Sequence, residues 1–146
     1  MEEFLKCELT DVELTDSIPI VTAVMNAIEA LVIVVDLEGR IVLFNHMCQK
    51  ASGYSFQEAK GMSFWKLLVP EELEQVEVAF EKLKSGNFPG RHVNHWVAKD
   101  GTRRLIRWSN TGVLDASGSV KYIIGTGIDI TALKVENELP DGPVTG

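Results

Sequence analysis

The side chains best suited to chemistry in this chain are three histidines, His46, His92 and His95, and two cysteines, Cys7 and Cys48. A neutral imidazole can hold a metal or haem iron, and a thiolate is a nucleophile. Their spacing argues against both uses. His92 and His95 stand three apart in a β-type run, so they point to opposite faces and share no metal. Each histidine is read as a structural hydrogen-bonder, with His92 as the alternative iron ligand. Cys7 and Cys48 have no metal-ligand spacing and are read as reduced thiols rather than a disulfide. Cys48 has no sequence neighbour that would lower its pKa. There is no Gly-x-Ser-x-Gly elbow, no phosphate-binding glycine loop and no His-Glu-x-x-His. The chain is therefore expected to have no catalytic residues and no metal site.

Binding is the other chemistry on offer, at Gly125-Thr126-Gly127-Ile128-Asp129-Ile130-Thr131. Two glycines one residue apart leave one face of a strand bare, and either packed neighbours or a bound molecule must fill that space. Asp129 and Thr131 follow where the strand gives way to a helical segment, Ala132 to Leu139. Thr131 is placed to cap that helix.

The composition narrows the partners. With 21 acidic against 14 basic residues the net charge is −7, and no basic stripe is present for nucleic acid. Arg103, Arg104 and Arg107 are read as a solvated strand face. The start, Met1-Glu2-Glu3-Phe4, is not that of a signal peptide. The longest apolar run, Ala30 to Val35, is far short of a membrane span. The expectation is a soluble cytoplasmic chain without direct membrane contact, although a membrane-bound parent could extend beyond its ends. Its 146 residues suit one domain with a sizeable core.

The positioning elements follow from periodicity. Residues 1–16 read as a loose acidic arm. Ser17 and Pro19 signal a helix start, and Val21, Val24, Met25 and Ile28 recur at helical spacing. Leu31 to Val35 and Arg40 to Phe44 form a hairpin about Asp36-Leu37-Glu38-Gly39. Short helices broken by Gly53 and Gly61 come next. A helix then opens at Pro70 with Leu73, Val76, Phe80 and Leu83 on its apolar face, ending at Ser85-Gly86. Three longer strands complete the pattern: Arg91 to Ala98, Arg103 to Leu114 and Ser119 to Ile130. Asp100-Gly101 and Asp115-Ala116-Ser117-Gly118 are the turns between them. Strands grouped apart from helices predict an α+β fold with an antiparallel sheet. Pro140 and Gly142 end the regular structure.

This order, and several residues in it, resemble the PAS domain, the sensory-box family of bacterial signalling proteins. Ala30 to Asp36 with Gly39, Ile41, Phe44 and Asn45 looks like its opening hairpin. Ala51-Ser52-Gly53-Tyr54-Ser55 with Glu58 and Gly61 is similar to its Gly-Tyr-Ser-x-x-Glu-x-x-Gly region. Lys99 to Thr102, Asp115, Gly118, Gly125 and Asp129-Ile130-Thr131 resemble its later turns and its ending. The resemblance implies a PAS sensor domain over residues 17–135, an arm at 1–16 and a tail or linker at 136–146. It implies a five-stranded antiparallel sheet with helices on one face and a flanking amphipathic N-terminal helix.

Its flavin-binding relatives imply a ligand face of Ile106, Trp108 and Asn110, then Ile123, Gly125 and Gly127, with His92, Asn94 and Trp96 on the neighbouring strand. The other reading of that face is a filled core. The opposite face carries His95, Leu105, Arg107, Tyr122, Ile124 and Ile128, and the helix of Ile18 to Glu29 would cover it, from the same chain or from the partner in a homodimer. Covalent flavin chemistry is disfavoured because Phe64 stands where the cysteine would be. Trp108 and Trp96 could still stack on a non-covalent flavin. Haem is disfavoured because no histidine lies between Glu71 and Ser85. The cofactor is thus unnamed: flavin, haem, a colourless metabolite or an empty cavity. The implied function is ligand sensing that regulates a histidine kinase, diguanylate cyclase or transcription regulator of a two-component or related system through Asp129 and Thr131. The alternative is a ligand-free dimerisation module.

Overall fold

The five β-type runs become β1 (Leu31–Asp36), β2 (Ile41–Phe44), β3 (Gly90–Val97), β4 (Arg103–Leu114) and β5 (Val120–Asp129). In the computed structural model, which describes residues 11–133, they form one antiparallel sheet in the order β2-β1-β5-β4-β3. One device makes all three hairpin turns. Asp36 accepts hydrogen bonds from the amides of Glu38 and Arg40, both at 2.9 Å. Asp100 accepts the Thr102 amide at 2.9 Å, and Asp115 accepts those of Ser117 and Ser119 at 2.9 and 3.0 Å. A short acidic side chain that bonds its own backbone two residues on fixes each turn and hence each register.

The helices are α1 (Asp11–Asn26), α2 (His46–Ser52), α3 (Phe56–Ala59) and α4 (Leu73–Lys84), with 3₁₀ turns at Phe64–Leu67 and Pro70–Glu72. Asn45 caps α2, and Ser55 with Glu58 forms a reciprocal capping box on α3. Residues 11–16 of the expected arm lie in α1, which carries Pro19 inside it. The local composition, acidic with scattered apolar residues, does not by itself separate a helix from a loose arm over residues 11–16. The arm's first ten residues lie outside the described residues. So do the expected tail, 136–146, and the exit helix beyond its first turn at 131–133.

The inner face of the sheet packs beneath α2 to α4. Leu31, Ile33, Val35, Trp96, Ile106, Trp108 and Ile123 from the strands meet Val76, Phe80 and Leu83 of α4 in one core. Leu73, expected on that apolar face, is exposed. The outer face is covered only in part. Met25 of α1 is buried with Val32 and Leu43, and Val21 and Ile124 pack against them. Val24 and Ile28, from the same predicted stripe, stay exposed, as do Val93 and Ile128 at the other end of the sheet.

Candidate functional site

Strand register decides which side chains meet. β3 pairs His92 with Trp108 and Gly90 with Asn110. β4 pairs Trp108 with Gly127 and Asn110 with Gly125. Alternation then sends His92, Asn94, Trp96, Ile106, Trp108 and Asn110 to the helix side of the sheet. The bare face at the two glycines is filled by the protein itself. A Cβ at Gly127 would stand 2.7 Å from Ile106 Cγ2 and 2.9 Å from the Trp108 ring. At Gly125 it would stand 2.8 Å from Asn110 Oδ1 and 3.3 Å from Trp108. The glycines are therefore the floor beneath the Trp108 indole. That ring is fixed by a 2.9 Å hydrogen bond from its Nε1 to Asn94 Oδ1 and by Trp96, 5.3 Å away between centroids. Trp96 in turn stacks on Phe44 at 6.0 Å.

A cavity of about 60 Å³ remains between the sheet and α4. Seven of the residues expected to face a ligand border it: Trp108, Asn110, Trp96, Asn94, His92, Ile123 and Gly125. Ile106 and Gly127 do not, because Ile106 is wholly buried and Gly127 lies under Ile106 and Trp108. Phe64, Leu68, Val76, Phe80 and Leu83 close the cavity from the helix side. The contribution of Val76, Phe80 and Leu83 was readable from the apolar stripe of α4; that of Phe64 and Leu68, in and just after the 3₁₀ turn at Phe64–Leu67, was not.

No aspartate, glutamate, lysine or arginine borders the cavity. Asn110, only 8% exposed, makes no side-chain hydrogen bond to another described residue. Neither does the imidazole of His92, which burial pushes below its ordinary pKa and so keeps neutral at neutral pH. His92 thus differs from the structural hydrogen-bonder expected of it. His95 fits that description: its amide donates to Glu72 Oε1 and its Nδ1 lies against Glu72 Oε2, both at 2.7 Å. Glu72 closes the open edge of β3 in this way. Sequence periodicity does not reveal that pairing, which joins residues 23 apart.

Flavin and haem do not fit this space. Sites for ligands of that kind occupy roughly 300–1,000 Å³, against about 60 Å³ here. Trp96 and Trp108 pack against each other at an interplanar angle of 46°, and Phe64 is a cavity wall. Among the described residues no three His, Cys, Asp or Glu side chains come together as metal ligands. Cys48 is free and buried, its thiol donating to the Val32 carbonyl at 3.3 Å, and burial pushes its pKa up to about 12.

The second polar cluster lies where β5 ends. Asp129 Oδ1 accepts from the Thr131 hydroxyl at 2.6 Å and the Thr131 amide at 3.0 Å, while its Oδ2 accepts from Arg104 Nε at 2.8 Å. Thr131 Oγ1 accepts the Leu105 amide at 2.8 Å, and the Ile130 amide donates to the Leu105 carbonyl at 2.8 Å. Partial burial pushes the Asp129 carboxyl up. The Thr131 hydroxyl and amide, with Arg104, outweigh it and hold the pKa below its ordinary value. The Thr131 hydroxyl therefore ties the chain back to β4, and the carboxylate of Asp129 binds the first helical amide. Arg104 was read as part of a solvated face with Arg103 and Arg107. Arg103 does pair in water with Glu71 at 2.9 Å, and Arg107 is exposed. The register pairs Ile106 with Asp129, which sets Arg104, two residues back along β4, beside that carboxylate.

The model of the PAS fold family matches residues 21–130. No curated protein is significantly similar to the chain. Among solved structures, a PAS domain from Colwellia psychrerythraea is 20% identical, covering 79% of this chain and 98% of its own, with a TM-score of 0.70. The PAS domain of an HTR-like protein from Haloarcula marismortui is 16% identical, covering 82% and 97%, at 0.65. A LOV protein from Rhodobacter sphaeroides is 17% identical, covering 88% and 75%, at 0.70. At these identities the structural likenesses speak for the fold. With the family match over most of its length, the chain belongs to the PAS fold family.

Proposed function

We propose that this PAS domain is a sensor: a small molecule in the cavity biases β5, and the Asp129–Thr131 latch passes the change to an attached or partner output. The outputs that suit it are a histidine kinase, a diguanylate cyclase or a transcription regulator. The observation that carries this reading is Asn110, a buried amide on the cavity wall with no described partner. Among the described residues the fully enclosed side-chain atom without a partner is Thr22 Oγ1; the Asn110 amide instead opens onto the cavity, where its donors and acceptor are available to a bound molecule. Gly125 on the cavity and Asp129 in the latch share one strand, four residues apart. A ligand can shift the latch only by binding its two states unequally.

Mass spectrometry of what denaturation releases from the purified protein tests the reading, beside an absorption spectrum of the native sample. A stoichiometric small molecule supports it. Asp129→Ala in the full-length protein should then keep binding and lose regulation; normal regulation would sink the latch.

The exposed Ile20 and Val24 of α1, with Ile28 just beyond its end, favour a homodimer in which this helix covers the open sheet face of a second copy. Sedimentation of the wild type and of Val24→Glu tests it: a wild type that stays monomeric at every concentration overturns the dimer. If no molecule is released and the dimer persists, the ligand-free interaction module is the better reading. No described helix is long and apolar enough to cross a membrane. The cytoplasm is the location proposed.

A further inference from the structure

Resting on the reading that the cavity is a binding site, we infer that its occupant is a small uncharged molecule whose one polar group, an amide, carbonyl or hydroxyl, is held between Asn110 and His92. The size follows from the space. The cavity of about 60 Å³ is far below the roughly 300–1,000 Å³ of sites for drug-sized ligands, so its occupant is small.

The lack of charge follows from the walls. Every bordering side chain other than His92, Asn94 and Asn110 is apolar, and none carries a formal charge. A carboxylate, phosphate or ammonium would leave water with no counter-charge to receive it. Burial holds His92 neutral as well. The polar recognition follows from the strands. Gly90 is the register partner of Asn110, so His92 sits diagonally across from Asn110 on the same face, close enough for both to reach one head group. The amide of Asn110 and the neutral imidazole of His92 each offer a donor and an acceptor. The oxygen of Asn94 accepts from Trp108, so its amide nitrogen can add only a donor, and Asn110 and His92 remain the groups that offer both a donor and an acceptor.

Three isosteric probes separate the classes: isobutyramide, isobutyrate and isobutyramidinium, titrated into the full chain and followed by NMR at the Asn110 side-chain amide and the Gly125 backbone amide. Isobutyramide is expected to shift both signals saturably and to bind at least tenfold tighter than either ion. Asn110→Leu should weaken it at least tenfold; should that variant fail to fold, His92→Phe tests the same head group. An ion that binds as tightly as the amide overturns the inference and leaves the cavity reading standing. An unchanged amide affinity in the folded Asn110→Leu variant, or in His92→Phe where it is the one used, does the same. If no probe binds, the molecule released on denaturation decides. A small neutral compound upholds the class, a charged one overturns it, and no compound at all overturns the cavity reading with it.

Discussion

Two buried asparagines, Asn45 and Asn110, occupy opposite situations. Asn45, 1% exposed, makes four side-chain hydrogen bonds. Its oxygen accepts from the amides of Val32 and Cys48, and its nitrogen donates to the carbonyls of Met25 and Ala30. It ties the end of α1 to β1 and to the start of α2. Asn110, 8% exposed, makes none with a described residue and faces a cavity. The side chain and the degree of burial are nearly the same, so chemistry alone does not separate a structural polar group from a binding one. Saturation does. The Asp129 latch belongs with Asn45 in this respect, because each of its oxygens has a partner.

The largest expected effect tests whether the surroundings of Asn110 are tightly packed despite the cavity. Trp108 is 5% exposed and packs on Trp96 and both glycines. Trp108→Ala should destabilise by about 3–5 kcal/mol in chemical denaturation. A cost under 1 kcal/mol would mean that this region is loose and that Asn110 is not held in place. Asn45→Ala comes next, at roughly 2–4 kcal/mol, because it strands two amides and two carbonyls from three elements at once. Hydrogen exchange at the Val32 and Cys48 amides should rise in the same variant. Protection that stays intact there would break the contrast between the two asparagines.

Asp129 should show a smaller, pH-dependent effect. Its lowered pKa means that its contribution is complete above the ordinary carboxylate value of about 4 and is lost as pH falls through the lowered one. Asp129→Asn should therefore cost about 1–2 kcal/mol at neutral pH, a figure moderated by partial exposure. The variant and the wild type should converge in acid. Glu58, Glu71, Asp100 and Asp115 are also lowered, by bonds from Lys99, Arg103, Thr102 and Ser117 respectively. The difference between the two denaturation curves, rather than either curve, isolates the latch. A gap that widens as pH falls would contradict the assignment.

How far the sequence reveals such differences depends on range. The turns at Asp36, Asp100 and Asp115 bond within a few residues, and local composition announced them along with all five strands. Alternation grouped the residues of each strand by face and the resemblance to flavin-binding relatives chose which face; seven of the nine residues so named border the cavity. The start of α1 was not legible, because acidic residues with scattered apolar ones suit a helix and a loose arm alike. Pairings that cross the chain were not legible: Arg104 meets Asp129 and Glu72 meets His95 only once the sheet is assembled. Whether Gly125 and Gly127 make room for a ligand or for a neighbour was likewise undecidable before the position of the Trp108 ring was known.

The smallest effect is the sharpest test of the contrast. If Asn110 is an unpaired amide in the unliganded fold, exchanging it for a leucine of similar size removes a polar group that is mostly out of water and loses no hydrogen bond. Asn110→Leu should then change stability by less than about 1 kcal/mol, toward neutral or more stable, in a sample stripped of any bound molecule. The same exchange at Asn45 should remain costly. In the unstripped protein, a ligand that binds Asn110 adds stability that rises with its concentration, and the leucine variant lacks that increment. The two proteins should therefore differ most before stripping and least after it. Equal differences in both states would mean that Asn110 is bonded within the protein itself, and the distinction between a saturated and an open buried amide would fail where it matters most.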